Sequence, residues 1–197
     1  MDIFLHIWIK FFFLLTPFFS MSVFLSLTKE MKRHEKNKIS IRTTIAIITV
    51  CSVLYFFGNE IFSIFGITLD SFRIGAGSLL FISSVQMVQG NVSPNLDISN
   101  KDIAVVPLAI PVTVGPATTG ALLVLGAEVS NPWDKFLGFL ALITASICVG
   151  VLLLLSASVK QILGYNGLTI LEKLTGLILS ALASQIVFTG VYNFLKL

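Results

Sequence analysis

The chain has 197 residues, of which 55% are hydrophobic and 12% charged, with 17 phenylalanines and a net charge of +3. A soluble domain carries about twice that share of charge, so a water-soluble globular fold is excluded. A nucleic-acid partner is excluded too, because six of the thirteen basic residues fall in one segment between two apolar blocks.

Six stretches lack Asp, Glu, Lys and Arg altogether: 11–28, 43–59, 74–96, 103–127, 136–159 and 174–195. About 20 helical residues cross the ~30 Å hydrocarbon core of a bilayer, and each stretch reaches or approaches that length. The expectation is an all-α polytopic membrane protein with six transmembrane helices and the lipid bilayer as its solvent.

The first stretch follows Asp2 and is not followed by a small-x-small cleavage site, so it reads as a retained helix rather than a signal peptide. Pro17 interrupts it within Thr16-Pro17-Phe18-Phe19-Ser20. Proline removes a backbone donor and clashes with the carbonyl four residues back, so this helix should be broken. The following segment, 29–42, holds Lys29, Lys32, Arg33, Lys36, Lys38 and Arg42, the mark of a cytoplasmic loop. With Lys101, Lys160 and Lys173 that side gathers nine basic residues, against Lys10, Arg73, Lys135 and Lys196 on the other. Six crossings then leave both termini outside the cytoplasm.

The second stretch is short, but apolar residues resume beyond Glu60 at 61–69, enough for a tilted helix. Glu60 is the one carboxylate expected near membrane depth. A place near the outer interface, meeting water or Arg73, accounts for it more simply than a proton relay. The third stretch carries Gly77 and Gln86. The fourth carries Pro107, Pro111 and Pro116 with Gly115 and Gly120, and is the second helix expected to break. In the fifth and sixth, Ser146 with Gly150, and Gly176 with Ser180 and Ser184, have the small-xxx-small spacing that lets helices approach closely. Cys51 and Cys148 lie within apolar stretches and read as small hydrophobes.

One offset joins the two halves. Pro17 and Pro116, Gly77 and Gly176, and Gln86 and Gln185 are each 99 residues apart, and Phe65-Gly66 lies 98 before Leu163-Gly164. This divides the chain into repeats at 1–98 and 99–197. Three crossings is an odd number, so the second repeat enters the membrane inverted. Inverted repeats with interrupted helices typify secondary transporters, whose solute sites lie near the midplane between equivalent breaks.

Hydroxyls gather at both breaks. A half-helix amino end supplies donors and the facing carbonyl end supplies acceptors. The expected solute site therefore comprises Thr16, Pro17, Ser20, Gly115, Pro116, Thr118 and Thr119, with Gln185 nearby. It suits a small neutral solute, with a proton or sodium ion as the candidate coupling ion. For a single helix the same residues would read as a simple kink. No enzyme is expected: Ser/His/Asp sets, phosphate loops and zinc motifs are missing, His6 and His34 have no ligand partner, and no cofactor or metal is implied.

With these motifs in view, the chain resembles the MarC family of integral membrane proteins over almost its full length. The resemblance rests on Val23-Phe24-Leu25-Ser26-Leu27-Thr28, Phe65-Gly66-Ile67, Phe72-Arg73-Ile74-Gly75-Ala76-Gly77 and Pro107-Leu108-Ala109-Ile110-Pro111 with Gly115-Pro116. It implies a multi-pass protein of the bacterial inner membrane. One branch of that family looks like transporters of small neutral amino acids such as glycine and alanine. The first break of the family usually reads Asn-Pro-x-Gly and the second Gly-Pro-Gly. Here they read Thr16-Pro17-Phe18-Phe19 and Gly115-Pro116-Ala117, and the loss of an amide and two glycines, one of them to phenylalanine, would shrink and dry the cavity. A scaffold or regulatory protein that kept the fold without transport is the alternative reading.

Overall fold

The computed structural model describes residues 2–90, 104–129 and 131–195. Lys101, Ile103, Lys196, both chain ends and residues 91–96 of the third apolar stretch lie outside them. Every element among the described residues is helical: α1 (Asp2–Leu14), α2 (Pro17–Leu27), α3 (Arg33–Phe65), α4 (Leu69–Gln89), a π-helical segment (Ala104–Thr113), α5 (Pro116–Glu128), α6 (Pro132–Leu154) and α7 (Ser156–Leu195).

Among the described residues five apolar spans are long enough to cross a bilayer: Phe4–Leu27, Arg33–Phe65, Leu69–Gln89, Pro132–Leu154 and Ser156–Leu195. The fourth apolar stretch of the sequence is divided between the π-helical segment and α5. Large apolar side chains face outward on most of these helices. Phe57, Ile64, Ile82, Ile147, Ile162 and Phe188 are all exposed, as a hydrocarbon solvent permits and water does not.

The sequence expects both breaks, and each falls immediately before its proline. Between α1 and α2, Thr16 takes left-handed dihedrals (φ 45, ψ 57) and Pro17 opens α2. A β-branched residue in that region is strained, so the fold holds Thr16 there against a local cost. The second break also falls where it is expected, but the segment before it is a π-helix rather than an α-helix. A proline lacks an amide hydrogen and within an α-helix crowds the carbonyl four residues back, so a stretch that holds Pro107 and Pro111 makes a poor α-helix. The wider register avoids that crowding, and it closes with Val114 N–H donating to the Ala109 carbonyl at 2.9 Å. Gly115 is then extended, and Pro116 opens α5.

Two further differences concern helix ends. The basic segment 29–42, read as a loop, is mostly helix from Arg33 onward. Its start is capped by the Glu35 carboxylate, which accepts from the Lys32 amide at 2.9 Å. At the other end Gly66 (φ 62, ψ 24) stops α3, and Gly164 (φ 67, ψ −179) kinks α7, so the two glycines paired by sequence both have positive φ but differ in ψ.

Packing is closest where glycines meet backbone. A Cβ on Gly77 of α4 would lie 2.7 Å from Val187 Cγ2 and 3.1 Å from the Ala183 carbonyl of α7. A Cβ on Gly176 of α7 would lie 2.9 Å from Val88 Cγ2 and 3.0 Å from the Ser84 carbonyl of α4. Ser84 and Ala183, like Val88 and Val187, are also 99 residues apart. At the centre α3 meets α6 through buried Ile47, Cys51, Ala141, Ala145 and Val149. Ser40 of α3 donates to the Gly150 carbonyl of α6 at 3.2 Å.

Candidate functional site

The two breaks meet in the interior. Thr118, one turn into α5, donates to the Leu14 carbonyl at the end of α1 at 3.3 Å. Thr113, at the end of the π-helical segment, donates to the Leu108 carbonyl at 2.9 Å, so its oxygen remains to accept from Ser20 of α2, also at 2.9 Å. Ser20 lies farther from the Leu15 carbonyl, at 3.4 Å. Each break therefore lends a hydroxyl to the backbone or hydroxyl of the other. Buried polar groups need partners of this kind, since in a bilayer no water replaces them. One group at the crossing is left over: the Thr16 hydroxyl oxygen is buried and has no hydrogen-bond partner.

The expected site residues thus divide into three places. Thr16, Pro17, Ser20 and Thr118 are buried at the crossing, with Gly115 half-buried beside them. Pro116 and Thr119 instead line a groove of about 480 Å³ against Phe72, Ala76 and Leu79 of α4. Gln185 is exposed on α7 and lines a separate cavity of about 320 Å³ between α1, α4, α5 and α7.

That cavity has an apolar part, formed by Leu14, Leu80, Ala121 and Leu182, and a charged part formed by Lys10, Arg73 and Glu128. Leu14 links it to the crossing, because its carbonyl is the one that Thr118 holds. Arg73 is the organiser of the charged part. Its Nε donates to Glu128 Oε1 at 3.0 Å, its Nη2 lies 2.9 Å from the same oxygen, and its Nη1 pairs with Asp70. Asn193 of α7 adds a bond to Asp70 at 3.3 Å. Gly190 makes room for the arginine: a Cβ there would stand 2.8 Å from Arg73 Cβ.

The sequence did not anticipate this cluster. Glu60, expected to meet water or Arg73, is exposed, and Arg73 is engaged by Asp70 and Glu128. Nor is Glu60 the carboxylate of most structural interest. Glu172 of α7 is half-buried, with its Oε1 enclosed and unpartnered. Its sequence signal was the 99-residue offset, which matches Glu172 to Arg73. Gln86 and Gln185, paired by the 99-residue offset, make no hydrogen bond among the described residues, and both are exposed. Among those residues no group of His, Cys, Asp and Glu side chains could hold a metal ion.

Long apolar helices, lipid-facing hydrophobes and two interrupted helices crossing inside them define a multi-pass integral membrane protein. Residues 1–195 match the model of the MarC family integral membrane proteins, and the chain belongs to that family. It is 36% identical over 188 residues to the UPF0056 membrane protein MJ1677 of Methanocaldococcus jannaschii, covering 91% of each chain. It is 29% identical to a UPF0056 membrane protein of Aquifex aeolicus, over 93% of this chain and 89% of the relative. It is 27% identical to the UPF0056 membrane protein YhcE of Escherichia coli, over 96% and 92%. No solved structure matches the chain.

Proposed function

We infer that the protein is a secondary transporter of small neutral solutes, amino acids foremost, that acts without covalent catalysis. The observation that carries this reading is the contact between the two breaks, Thr118 on the Leu14 carbonyl and Ser20 on Thr113, beside a cavity that Leu14 also lines. Helix breaks place backbone donors and acceptors at membrane depth, where unbroken helices offer neither.

The architecture we propose is six crossings in two inverted three-helix repeats, 1–98 and 99–197. Its support is the common offset: proline breaks at 17 and 116, and glycines at 77 and 176 that face residues themselves 99 apart. One repeat would rock against the other about the crossing, with solute held by residues of both breaks: Thr16, Pro17, Ser20, Gly115, Pro116, Thr118, Thr119 and Gln185. A proton or sodium ion is the proposed coupling ion. The protein would sit in the cell membrane with both termini outside the cytoplasm, following the basic residues of 29–42.

A non-transporting scaffold is favoured by one observation: the hydroxyls of Ser20, Thr113 and Thr118 already bond to protein groups. Uptake by proteoliposomes, tested with a panel of labelled small amino acids, decides between the two. Accumulation above protein-free vesicles is the expected result. No uptake of any solute by folded protein would favour the scaffold.

A further inference from the structure

Glu172 is the one acidic residue of α7, and it sits on a buried face of that helix. Leu168, one turn before it, and Thr175, one turn after it, are both buried. Leu168 shares an apolar cluster with Met21 and Phe24 of α2, so this face of α7 is turned toward α2. From α2, the Ser22 hydroxyl hydrogen-bonds the Glu172 carboxylate. The Oε1 atom of that carboxylate is enclosed and has no partner. Two residues before Ser22, Ser20 bonds the Thr113 hydroxyl at 2.9 Å. Both α2 bonds therefore cross from residues 1–98 to residues 99–197.

We propose that Glu172 is the binding site of the coupling ion, and that this ion is a proton. A proton taken from water converts the carboxylate to a carboxyl group, and nothing else is bound or released in the step. This rests on the transporter reading, chooses between its two coupling ions and assigns the residue that carries the chosen one.

The surroundings of Glu172 suit a proton better than a metal ion. A metal ion held by oxygen takes several donors at once, whereas the partner of Glu172 among the described residues is one hydroxyl. A proton needs no ligand beyond the oxygen itself. An ionised carboxylate with an enclosed, unpaired oxygen is unfavourable, and protonation removes the charge in place. The ionised form is then left for a conformation in which a cation has moved beside it. No other titratable group of the packed helices faces this carboxylate. α2 has no ionisable side chain. Asp70 and Arg73 of α4 lie beside Asn193 and Gly190, about five turns of α7 away. Of Asp2, His6 and Lys10 on α1, Lys10 lines a cavity with Gln185 and Thr189. Asp134 and Lys135 stand in the first turn of α6, at the end away from α7. Lys29, beyond the end of α2, and Lys173, next along α7, are exposed. Coupling follows from the place of Ser22. A change of charge on Glu172 alters its bond to α2, and Ser20 of the same helix carries that change to the crossing.

Two measurements on the full chain test the site and its coupling separately. The first needs no transport. Infrared spectra of the protein in nanodiscs at neutral pH should show the carbonyl stretch of a protonated carboxyl group. Glu172→Gln should remove that band, and Ser22→Ala should shift it by taking away the hydrogen bond. Ser22→Ala leaves the carboxyl group in place, so it assigns the band even where Glu172→Gln fails to fold. The second measurement is accumulation, by proteoliposomes, of labelled small solutes under a pH gradient of either sign. One pH unit should drive accumulation severalfold, up to about tenfold for one proton per solute, and a sodium gradient at equal pH should drive none. Glu172→Gln should accumulate no more with the pH gradient than without it. A wild type without the carboxyl band, or a band unchanged in both variants, would overturn the proposal. Accumulation driven by sodium alone, or pH-driven accumulation that survives Glu172→Gln, would also overturn it while leaving the transporter reading standing. A carboxyl band assigned to Glu172 in a protein that takes up no solute would sink the transporter reading and leave the proton site standing.

Discussion

Thr118 and Glu60 put opposite demands on the fold, and comparing them isolates the crossing. Thr118 holds the last turn of α1 through the Leu14 carbonyl, whereas Glu60 is exposed and pairs with no described residue. Interhelical hydrogen bonds within membranes contribute about 0.6 kcal/mol on average, with a ceiling near 1.7 kcal/mol. Thr118→Val keeps the shape but leaves that carbonyl without its partner. It should therefore lower the apparent melting temperature by a few degrees, and solute affinity by about fivefold through looser breaks. Glu60→Gln should change neither. Thermal unfolding and solute binding in one membrane preparation check both outcomes. A large loss for Glu60→Gln beside an unchanged Thr118→Val would reject the crossing as the centre of function. The charged residues of the cavity were less legible in the sequence than these threonines. Arg73 and Glu128 are 55 residues apart in the chain, and only the meeting of α4 with α5 makes them neighbours.

At the level of elements, α4 and α7 approach through Gly77 and Gly176, each facing a carbonyl and a valine of the other helix. The carbonyls cannot move without bending a helix, so a side chain there must push the helices apart. Gly77→Leu and Gly176→Leu should each destabilise the folded protein by about 1–3 kcal/mol, the usual range for overpacking. Gly75→Leu serves as the control, because a Cβ at Gly75 meets nothing within 4 Å. Retention of folded protein against heat or detergent is the measurement, and equal behaviour of all three variants would contradict the packing argument. Helix breaks were readable in advance because proline acts locally, on its own amide and the preceding turn. The π-helical register before Val114 was not. It depends on how two prolines share one turn and on Thr43 of α3, which donates to the Ala104 carbonyl at 3.1 Å. The helical start of α3 at Arg33 was hidden for another reason: charge marks the membrane side of a segment, not its backbone conformation.

Over the whole molecule the 99-residue offset makes a prediction that no single site makes. It matches Arg73 to Glu172 and Lys29 to Glu128, the same four positions with their charges exchanged. Arg73 and Glu128 are paired in this structure. Their counterparts are apart: Lys29 is exposed with no described partner, and Glu172 Oε1 is enclosed without one. The helices at or beside which they lie still correspond, since α2, which ends two residues before Lys29, packs against α7 as α5 packs against α4. Ser22 hydrogen-bonds the Glu172 carboxylate, but its enclosed Oε1 has no partner, which is costly and favours a cation beside it. If the two halves are inverted repeats that exchange conformations during transport, as proposed above, closing the Lys29 side joins Lys29 to Glu172 and parts Arg73 from Glu128. Cysteine pairs test this once Cys51 and Cys148 have been replaced by alanine. An Arg73→Cys/Glu128→Cys pair should be bridged readily in the resting protein by a short, reducible bis-methanethiosulfonate linker, and a Lys29→Cys/Glu172→Cys pair only while solute is being turned over. Each cross-link should stop uptake, with reduction restoring it. In a chain carrying all four cysteines the two bonds should exclude each other. Both bonds forming in one molecule, or uptake continuing through either, would show that the matched charges do not alternate.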